Sequence, residues 1–258
     1  MASWDLMVNV LRSITDVVRV PFSLFNWRSI PESRVKLGNF VRFREVPLPI
    51  FPNFFRPSAK ISDVPMLLPN LQDKHLILAS KSPRRQMLLK GLEVEFEIRT
   101  RDTDESWPED MDRTQVAEYI AKKKAAAFDG ELKPGDVLIT SDTTVYLNGE
   151  LLEKPADRAD ALRMLGELNG QTHTVYTAVC ITSLEKQVSF TDATHVTFGQ
   201  MTPDELEHYV DVYQPYDKAG AYGAQEFMGY VGVEKLEGSY FTVMGLPLHL
   251  LYGALKGF

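Results

Sequence analysis

The sequence contains a single cysteine, Cys180, among its 258 residues. An intramolecular disulfide is therefore excluded, and so is a zinc site built from several cysteines. Cys180 lies in the apolar run YTAVCI, where we expect a buried structural thiol. The sequence also has no recognisable Ser-His-Asp order, so covalent nucleophilic catalysis has little support.

Long hydrophobic runs and a basic surface are missing as well. No segment approaches the roughly 18 consecutive apolar residues that are typical of a membrane span. The formal net charge is −7, whereas proteins that bind nucleic acid favour a basic surface. We therefore expect a cytoplasmic protein whose partners include neither a membrane nor a nucleic acid.

Residues 1–74 differ in composition from the rest of the chain. They hold more basic than acidic residues and over half of the prolines. Because Pro lacks an N–H donor, the stretch PLPIFPNFFRPSAK fits neither a helix interior nor a central strand. An organelle transit peptide, an added segment, and sequence ahead of a start at Met66 are all open alternatives. We expect a poorly ordered extension over 1–74, without chemistry, and a compact domain over 75–258.

Strand and helix patterns alternate irregularly in this second part, which predicts an α/β fold with a mixed sheet. Local signals support several of these elements. Ser82 precedes a helix as its N-cap, and Asn148-Gly149 between alternating runs predicts a hairpin. Thr202 and Glu205 have the spacing of a capping box.

The stretch ILASKSPRRQMLLKGL (77–92) leads from an apolar strand into a helix through a polar loop. Ser80, Lys81 and Ser82 supply donors, and Arg84 and Arg85 follow at the helix start. A helix N-terminus with guanidinium groups suits phosphate oxygens. The Gly and Lys spacing of a P-loop is missing. The alternative is a capped helix with two exposed arginines.

Two acidic segments are candidates for the chemistry. In SDTT we predict that Asp142 lies where an apolar strand ends, a common place for catalytic groups in α/β sheets. A carboxylate there can bind Mg²⁺ or orient a water molecule. Asp104 or Glu105 in TDES could add a second carboxylate. Turn or cap positions are the alternative for all three.

Lysine and glutamine supply the remaining candidates. Lys124 ends the run KKK, whose side chains point about 100° apart around a helix, so we expect Lys122 and Lys123 at the surface. Lys154 follows the hairpin and could neutralise a phosphate or simply be exposed. Gln225, in the glycine-bearing loop DKAGAYGAQ, can pair with the edge of a base; a tight structural loop is the alternative.

Taken together, several motifs resemble the Maf family of nucleoside triphosphate pyrophosphatases in order and spacing, over about residues 75 to 256. They are LASKSPRR, DES, AKKKA, SDTTV, EKPADRADALRMLGELNGQTHTVYTAV, DKAGAYGAQ and GSYFTVMGLP. The resemblance implies a two-lobed α/β fold like that of inosine triphosphate pyrophosphatase, with a mixed central sheet and a cleft between the lobes. It also implies cleavage between the α- and β-phosphates, a divalent cation (Mg²⁺ or Mn²⁺), and often a homodimer.

The resemblance also assigns roles to residues. It implies that Asp142 accepts the proton of the attacking water, and that Glu105 and Asp142 bind the metal. It implies that Arg84, Arg85, Lys124 and Lys154 hold the phosphates and that Gln225 contacts the base. The expected substrate-binding set is Ser80, Arg84, Arg85, Lys124, Thr143, Lys154 and Gln225.

Subgroup features favour one substrate. Arg85, Thr143 and Gln225 resemble the dTTP/UTP pyrophosphatases, whereas the 7-methyl-GTP subgroup departs at the latter two positions. Glu226 departs from the family pattern, since many members have Gly there. The alternatives are a pyrophosphatase for 7-methyl-GTP and a non-catalytic, nucleotide-binding regulator of cell division.

Overall fold

The structure is a computed structural model that describes residues 67–108 and 110–258. Most of the predicted extension, residues 1–66, lies outside the described part, so the prediction made for it stays a prediction. Residues 67–74 include a short 3-10 helix, Pro69–Leu71, and Leu68 and Leu71 are buried against the apolar core. No helix in the described residues is both long and apolar enough to cross a membrane.

The described residues form a mixed, seven-stranded sheet with helices around it. The strand order is β2-β1-β3-β5-β6-β7, and β4 pairs with β3. The two pairs that contain β1 are parallel and the others antiparallel, so the predicted α/β class with a mixed sheet is confirmed. The elements are β1 His75–Leu78, α1 Pro83–Lys90, β2 Glu97–Ile98, α2 Arg113–Ala126, β3 Asp136–Leu147, β4 Glu150–Leu152, α3 Arg158–Leu168, β5 Thr172–Thr182, β6 Gln187–Phe198, α4 Pro203–Tyr213, β7 Val233–Glu237, α5 Tyr240–Val243 and α6 Leu248–Leu255.

The central strand, β3, corrects one sequence prediction. We expected the strand to end at Asp142, but β3 runs on to Leu147. The reason is its antiparallel partner β5, which pairs with β3 from Leu138 to Tyr146 and so keeps the backbone extended past the polar residues. Asp142 is therefore held in the middle of a strand that is paired along one side.

The strand end that we expected at Asp142 belongs to a neighbour. On the other side of β3, the last pair with β1 joins Leu78 and Ile139, and the first pair with β4 joins Val145 and Leu152. Residues 140–144 of β3 therefore face a gap between β1 and β4. This gap is where the polar side chains of the site gather.

The apolar core is divided on either side of this gap. At the start of β3, alternate residues pack into different clusters, Val137 and Ile139 into one and Leu138 into another, as expected for a strand covered on both faces. Past the gap, Val145 and Leu147 belong to a third cluster. Each buried aliphatic side chain contributes about 1.5–3 kcal/mol. The clusters before and after the gap form the cores of two lobes, and the cleft lies between these lobes.

Most local sequence signals are confirmed. The Ser82 hydroxyl accepts from the Arg85 N–H, Asn148 and Gly149 have positive φ in the β3–β4 turn, and both bonds of the Thr202–Glu205 capping box form. The alternation of EVEFEI (93–98) predicts a strand, and in the structure only Glu97–Ile98 forms one.

The strand-like stretch GYVGVEKLEGSY is only partly a strand. Its start belongs to a π-helix, Met228–Gly232, and β7 begins at Val233. A Cβ at Gly229 would lie 1.8 Å from the Ala224 carbonyl oxygen, so the chain packs there at a distance that only glycine allows. The pattern of this stretch predicts a strand, and the structure confirms it only from Val233 to Glu237.

Candidate active site

A cavity of about 490 Å³ opens at the gap beside β3. Its walls come from the loop between β1 and α1, the loop before α2, the middle of β3, and the loop after α4. The structure brings together all the predicted site residues, because each of them lines this cavity: Ser80, Arg84, Arg85, Glu105, Lys124, Asp142, Thr143, Lys154 and Gln225.

Asp142 forms the floor of the cavity and is only 8% exposed. Its Oδ1 lies 2.7 Å from Lys124 Nζ, and the same ammonium lies 2.7 Å from Glu105 Oε1. Lys124 belongs to the last turn of α2, and its side chain points into the cavity. One cation therefore lies between two carboxylates that are 37 residues apart in sequence.

The pKa values of the two carboxylates are shifted in opposite directions. Burial raises the pKa of Asp142, and the charges of Lys124 and Arg85 only partly oppose this. Burial also acts to raise the pKa of Glu105, but hydrogen bonding to Lys124 and the charges of Lys124 and Lys154 outweigh it and hold that pKa below its ordinary value. Asp142 is thus the stronger base of the two.

The Glu105 loop is held in place by ion pairs. Lys154 Nζ lies 3.3 Å from Glu105 Oε2, and Lys123 Nζ lies 2.7 Å from Asp104 Oδ2. Asp104 also accepts from the Ser106 hydroxyl. Asp104 therefore fixes the loop, and Glu105 is the carboxylate that lines the cavity. Lys123, which we predicted at the surface, is only partly exposed and helps to hold the loop.

The donor set suits a divalent cation. Glu105 and Asp142 are both oriented toward the point that the Lys124 ammonium contacts. Mg²⁺ in proteins commonly binds one or two carboxylates together with water and substrate phosphate oxygens. Within residues 67–108 and 110–258 no cluster of three or more His, Cys, Asp or Glu side chains has the geometry of a metal site. The carboxylate pair fits a cation that takes its other ligands from a substrate and from water.

The two arginines at the start of α1 have different surroundings. Arg84 is partly exposed, and its Nη1 lies 3.4 Å from Asp217 Oδ2. Arg85 is partly buried and donates to three acceptors, the carbonyls of Gly245 and Ser141 at 2.8 and 2.9 Å and Thr143 Oγ1 at 3.0 Å. Burial lowers the pKa of Arg85, although the charge of Asp142 counteracts this. Arg85 therefore crosslinks the walls of the cavity.

Gln225 lines the cavity from the loop after α4. Neither polar atom of the Gln225 amide has a hydrogen-bond partner in the described part of the chain, although both atoms are buried. Tyr222 lines the cavity nearby and is fixed by a 2.7 Å hydrogen bond between its hydroxyl and His173 Nε2. A buried amide without a partner lowers the stability of the fold, so this part of the cavity suits a ligand with both a donor and an acceptor.

Comparison with known proteins shows the family of this chain. A family model described as Maf-like protein matches residues 75–258. The chain belongs to the Maf-like protein family. The match begins with β1 and includes every residue of the site described above.

Curated relatives of this Maf-like chain are similar over nearly their whole length. The dTTP/UTP pyrophosphatase of Bacteroides thetaiotaomicron is 49% identical over 191 residues, which is 74% of this chain and 99% of the relative. The dTTP/UTP pyrophosphatase of Porphyromonas gingivalis strain W83 is 44% identical over 195 residues, 74% of this chain and 98% of the relative. Among solved structures, the Staphylococcus aureus Ham1 protein matches with a TM-score of 0.43 and 15% identity, covering 71% of this chain and 99% of that one.

Sequence reasoning missed some residues of the Maf-like site. Ser141 and Gly245 act through their backbone carbonyls, which any residue type could supply, so no side-chain pattern could reveal them. Asp102 was missed as well. It lies 2.8 Å from Nζ of Lys81, which was predicted as a donor of the β1–α1 loop and which the structure pairs with this carboxylate.

Proposed function

We propose that this protein is a hydrolase acting on acid anhydrides, a nucleoside triphosphate pyrophosphatase that converts dTTP and UTP to the monophosphate and pyrophosphate. The observation that carries the proposal is the buried Asp142 in a cavity that is also lined by Arg84, Lys124 and Lys154 and by the Gln225 amide, which has no hydrogen-bond partner among the described residues. The names of the curated relatives support the same substrates.

Asp142 acts as the general base in this proposal. It takes a proton from a water molecule that attacks the α-phosphorus, and pyrophosphate leaves from the opposite side. Its pKa is raised by burial, which brings its basicity closer to what proton transfer near neutral pH requires. Its position on a paired strand fixes the carboxylate relative to the phosphates, and positioning of this kind is a major part of such catalysis.

The cationic side chains bind the triphosphate. Arg84 offers a guanidinium at the start of α1, and Lys154 is an exposed ammonium that can turn from Glu105 to a phosphate. Lys124 lies close to Asp142, so its ammonium can stabilise the negative charge that develops at the reacting phosphate. The protein is acidic overall, so binding a triphosphate depends on this local concentration of positive charge.

We infer that Mg²⁺ or Mn²⁺ takes part, held by Glu105 and Asp142. When bound, the divalent ion would neutralise phosphate charge and draw electron density away from the phosphorus. Ser80 contributes from the β1–α1 loop, where its buried hydroxyl accepts from the Ser82 N–H at 3.2 Å and shapes the phosphate end of the cavity.

Gln225 reads the base in this proposal. Uracil and thymine present an N–H between two carbonyl oxygens, and an amide offers the matching acceptor and donor. Arg85 and Thr143 shape the neighbouring wall, because Arg85 donates to Thr143 Oγ1 at 3.0 Å. We infer that Gln225, Arg85 and Thr143 together set the preference for dTTP and UTP. Arg85 contributes by fixing this wall of the cavity and through its remaining N–H groups.

A nucleotide panel tests the proposal. Purified protein is incubated with UTP, dTTP, CTP, GTP and 7-methyl-GTP, with Mg²⁺ and with a chelator, and pyrophosphate release is measured. We expect release from UTP and dTTP at least tenfold faster than from CTP and GTP, and only with the metal. Turnover mainly of 7-methyl-GTP would identify that nucleotide as the substrate instead. Binding of nucleotides without release of pyrophosphate would favour a non-catalytic regulator.

The finer expectations about assembly and location stay predictions. We infer a homodimer from the family resemblance, and light scattering coupled to size exclusion measures it directly through a doubled mass. A cytoplasmic location and the lack of nucleic-acid partners are inferred in the same way. Fluorescence of the tagged full-length chain in its native cell tests the location.

A further inference from the structure

The residue after Gln225 is anchored in the protein interior. The Glu226 carboxylate has a side-chain exposure of 21%, and its Oε1 lies 3.2 Å from Lys218 Nζ. Its other oxygen accepts a hydrogen bond from the Tyr209 hydroxyl, and Tyr209 is fully buried in α4. Glu226 is therefore fixed at both oxygens, although it does not itself line the cavity.

Lys218 extends this anchor toward the phosphate end. Its ammonium, on a side chain only 8% exposed, also lies 2.7 Å from Asp217 Oδ1. The second oxygen of Asp217 faces Arg84 Nη1 at 3.4 Å. Charges thus alternate along Arg84, Asp217, Lys218 and Glu226. A largely buried ammonium depends on its partners, and Lys218 keeps Asp217 as a partner when Glu226 is replaced, so the pairs that reach Arg84 stay in place.

The backbone of the loop closes around the same carboxylate. The Gly223 N–H donates to the Tyr209 hydroxyl at 3.0 Å, and the Glu226 N–H donates to the Gly223 carbonyl at 3.1 Å. A Cβ at Gly223 would lie 2.8 Å from the Glu226 carboxyl carbon, so a side chain at position 223 would displace the Glu226 carboxylate. Gln225 is carried on this closed loop and has no partner of its own among the described residues.

We propose that Glu226 is a positioning residue that holds the Gln225 amide at the base end of the cavity and thereby determines base selectivity. The proposal rests on the proposed function, since it concerns how the same site chooses its nucleotide. Glu226 acts through Gln225 and not on the phosphates, because its contacts are to Lys218, Tyr209 and the loop backbone. Its loss should change base discrimination and leave phosphate binding intact.

The test compares Glu226→Gln, Glu226→Ala, Gln225→Ala and the double variant Gln225→Ala/Glu226→Ala. Glu237→Gln is the matched control, since Glu237 pairs with Lys235 at 3.0 Å on an exposed strand. Steady-state kinetics with UTP and CTP, and calorimetric binding of UMP, CMP and pyrophosphate, are measured for each. We expect Glu226→Ala to lower the UTP-to-CTP ratio of kcat/KM by about tenfold, mostly through KM, with pyrophosphate affinity unchanged.

Non-additivity decides whether Glu226 acts through Gln225. In a Gln225→Ala background, Glu226→Ala should cause no further loss of discrimination. If Glu226→Ala does not fold, Glu226→Gln decides, because it keeps a partner for Tyr209 and removes only the charge facing Lys218. An unchanged UTP-to-CTP ratio, or equal losses in both backgrounds, overturns the inference.

The binding data separate this inference from the proposed function. If the wild-type protein prefers UMP to CMP but releases no pyrophosphate, the proposed hydrolysis is contradicted. The UMP affinity of Glu226→Gln would then still decide the role of Glu226. Wild-type protein with equal affinity for UMP and CMP would overturn the inference itself. Loss of pyrophosphate affinity in Glu226→Gln would do the same, since it would place Glu226 at the phosphate end.

Discussion

The ammonium of Lys124 lies 2.7 Å from Asp142 Oδ1 and, at the same distance, from Glu105 Oε1. Lys124 therefore contacts the carboxylate pair that we infer to hold a divalent cation. It also links three separate elements, the end of α2, the middle of β3 and the loop before α2. The site is built around this contact, and the chemistry of both carboxylates depends on it.

Replacement Asp142→Asn should slow hydrolysis strongly and leave the fold intact. The amide has the same shape but cannot accept the water proton, so we expect kcat to fall by about 10²- to 10⁴-fold. The thermal midpoint should stay the same or rise, because a buried carboxylate with a raised pKa is replaced by a neutral group.

Asp129→Asn is the control, because Asp129 is exposed and is not among the residues that line the cavity. Pyrophosphate release and thermal unfolding are measured for both variants. Turnover of Asp142→Asn at the rate of Asp129→Asn would remove Asp142 from the role of base.

Replacement Lys124→Met should raise the pKa of both carboxylates in the metal-free protein. Lys124 lowers the pKa of Glu105 by hydrogen bonding and by its charge, and it opposes the rise at Asp142. Without it, both groups should bind protons at higher pH, which ¹³C NMR of the carboxyl carbons can follow. Lys122→Met, on the exposed side of the same helix, should leave both titrations in place. Unchanged titrations in Lys124→Met would contradict the contact described here.

Replacement Arg85→Lys should destabilise the protein. A lysine cannot reach the Gly245 and Ser141 carbonyls and Thr143 Oγ1 together, so buried acceptors lose their donor. We expect a loss of about 1–3 kcal/mol in the free energy of unfolding, measured with urea. Arg163→Lys, in a half-exposed ion pair with Asp160, should change it by less than about 0.5 kcal/mol. Equal effects of the two variants would show that Arg85 does not crosslink the walls.

The anchors around Arg85 show what the sequence could and could not predict. The caps at Ser82 and Thr202 and the turn at Asn148 were predicted, because each depends on residues within three positions. The acceptors of Arg85 lie 56 to 160 residues away. They include backbone carbonyls, which leave no mark in the sequence.

The site could be predicted only as a set of motifs. The family resemblance implied nine site residues, from Ser80 to Gln225, and all nine line the cavity. The length of β3 could not be read locally, because a polar SDTT segment looks like a strand end until its pairing with β5 is considered. The anchor of Glu226 on Tyr209 was likewise invisible, since the two residues belong to different elements.

Stability should fall in acid through His173. Burial lowers the pKa of His173 to about 4 from 6.5. The native state therefore holds the neutral ring, while the unfolded chain takes up a proton below about pH 6.5. This contribution to stability is fully present above pH 6.5 and is lost as the pH falls toward 4, a loss of roughly 3 kcal/mol in the free energy of unfolding.

His173→Gln isolates this effect, because glutamine can still bond the Tyr222 hydroxyl but does not titrate. Urea unfolding of both proteins is measured at several pH values between 7 and 4. The wild type should lose more stability than the variant over this range. Parallel pH dependence in the two proteins would mean that His173 is not the group responsible.

The most direct measurement follows the reaction of UTP in ¹⁸O-labelled water with Mg²⁺, using ³¹P NMR and mass spectrometry of the products. We expect UMP and pyrophosphate in equal amounts, with the label in UMP, because water attacks the α-phosphorus. Asp142→Asn should form both products at least about a hundredfold more slowly. Formation of UDP and phosphate, or label in the pyrophosphate, would contradict the proposed reaction.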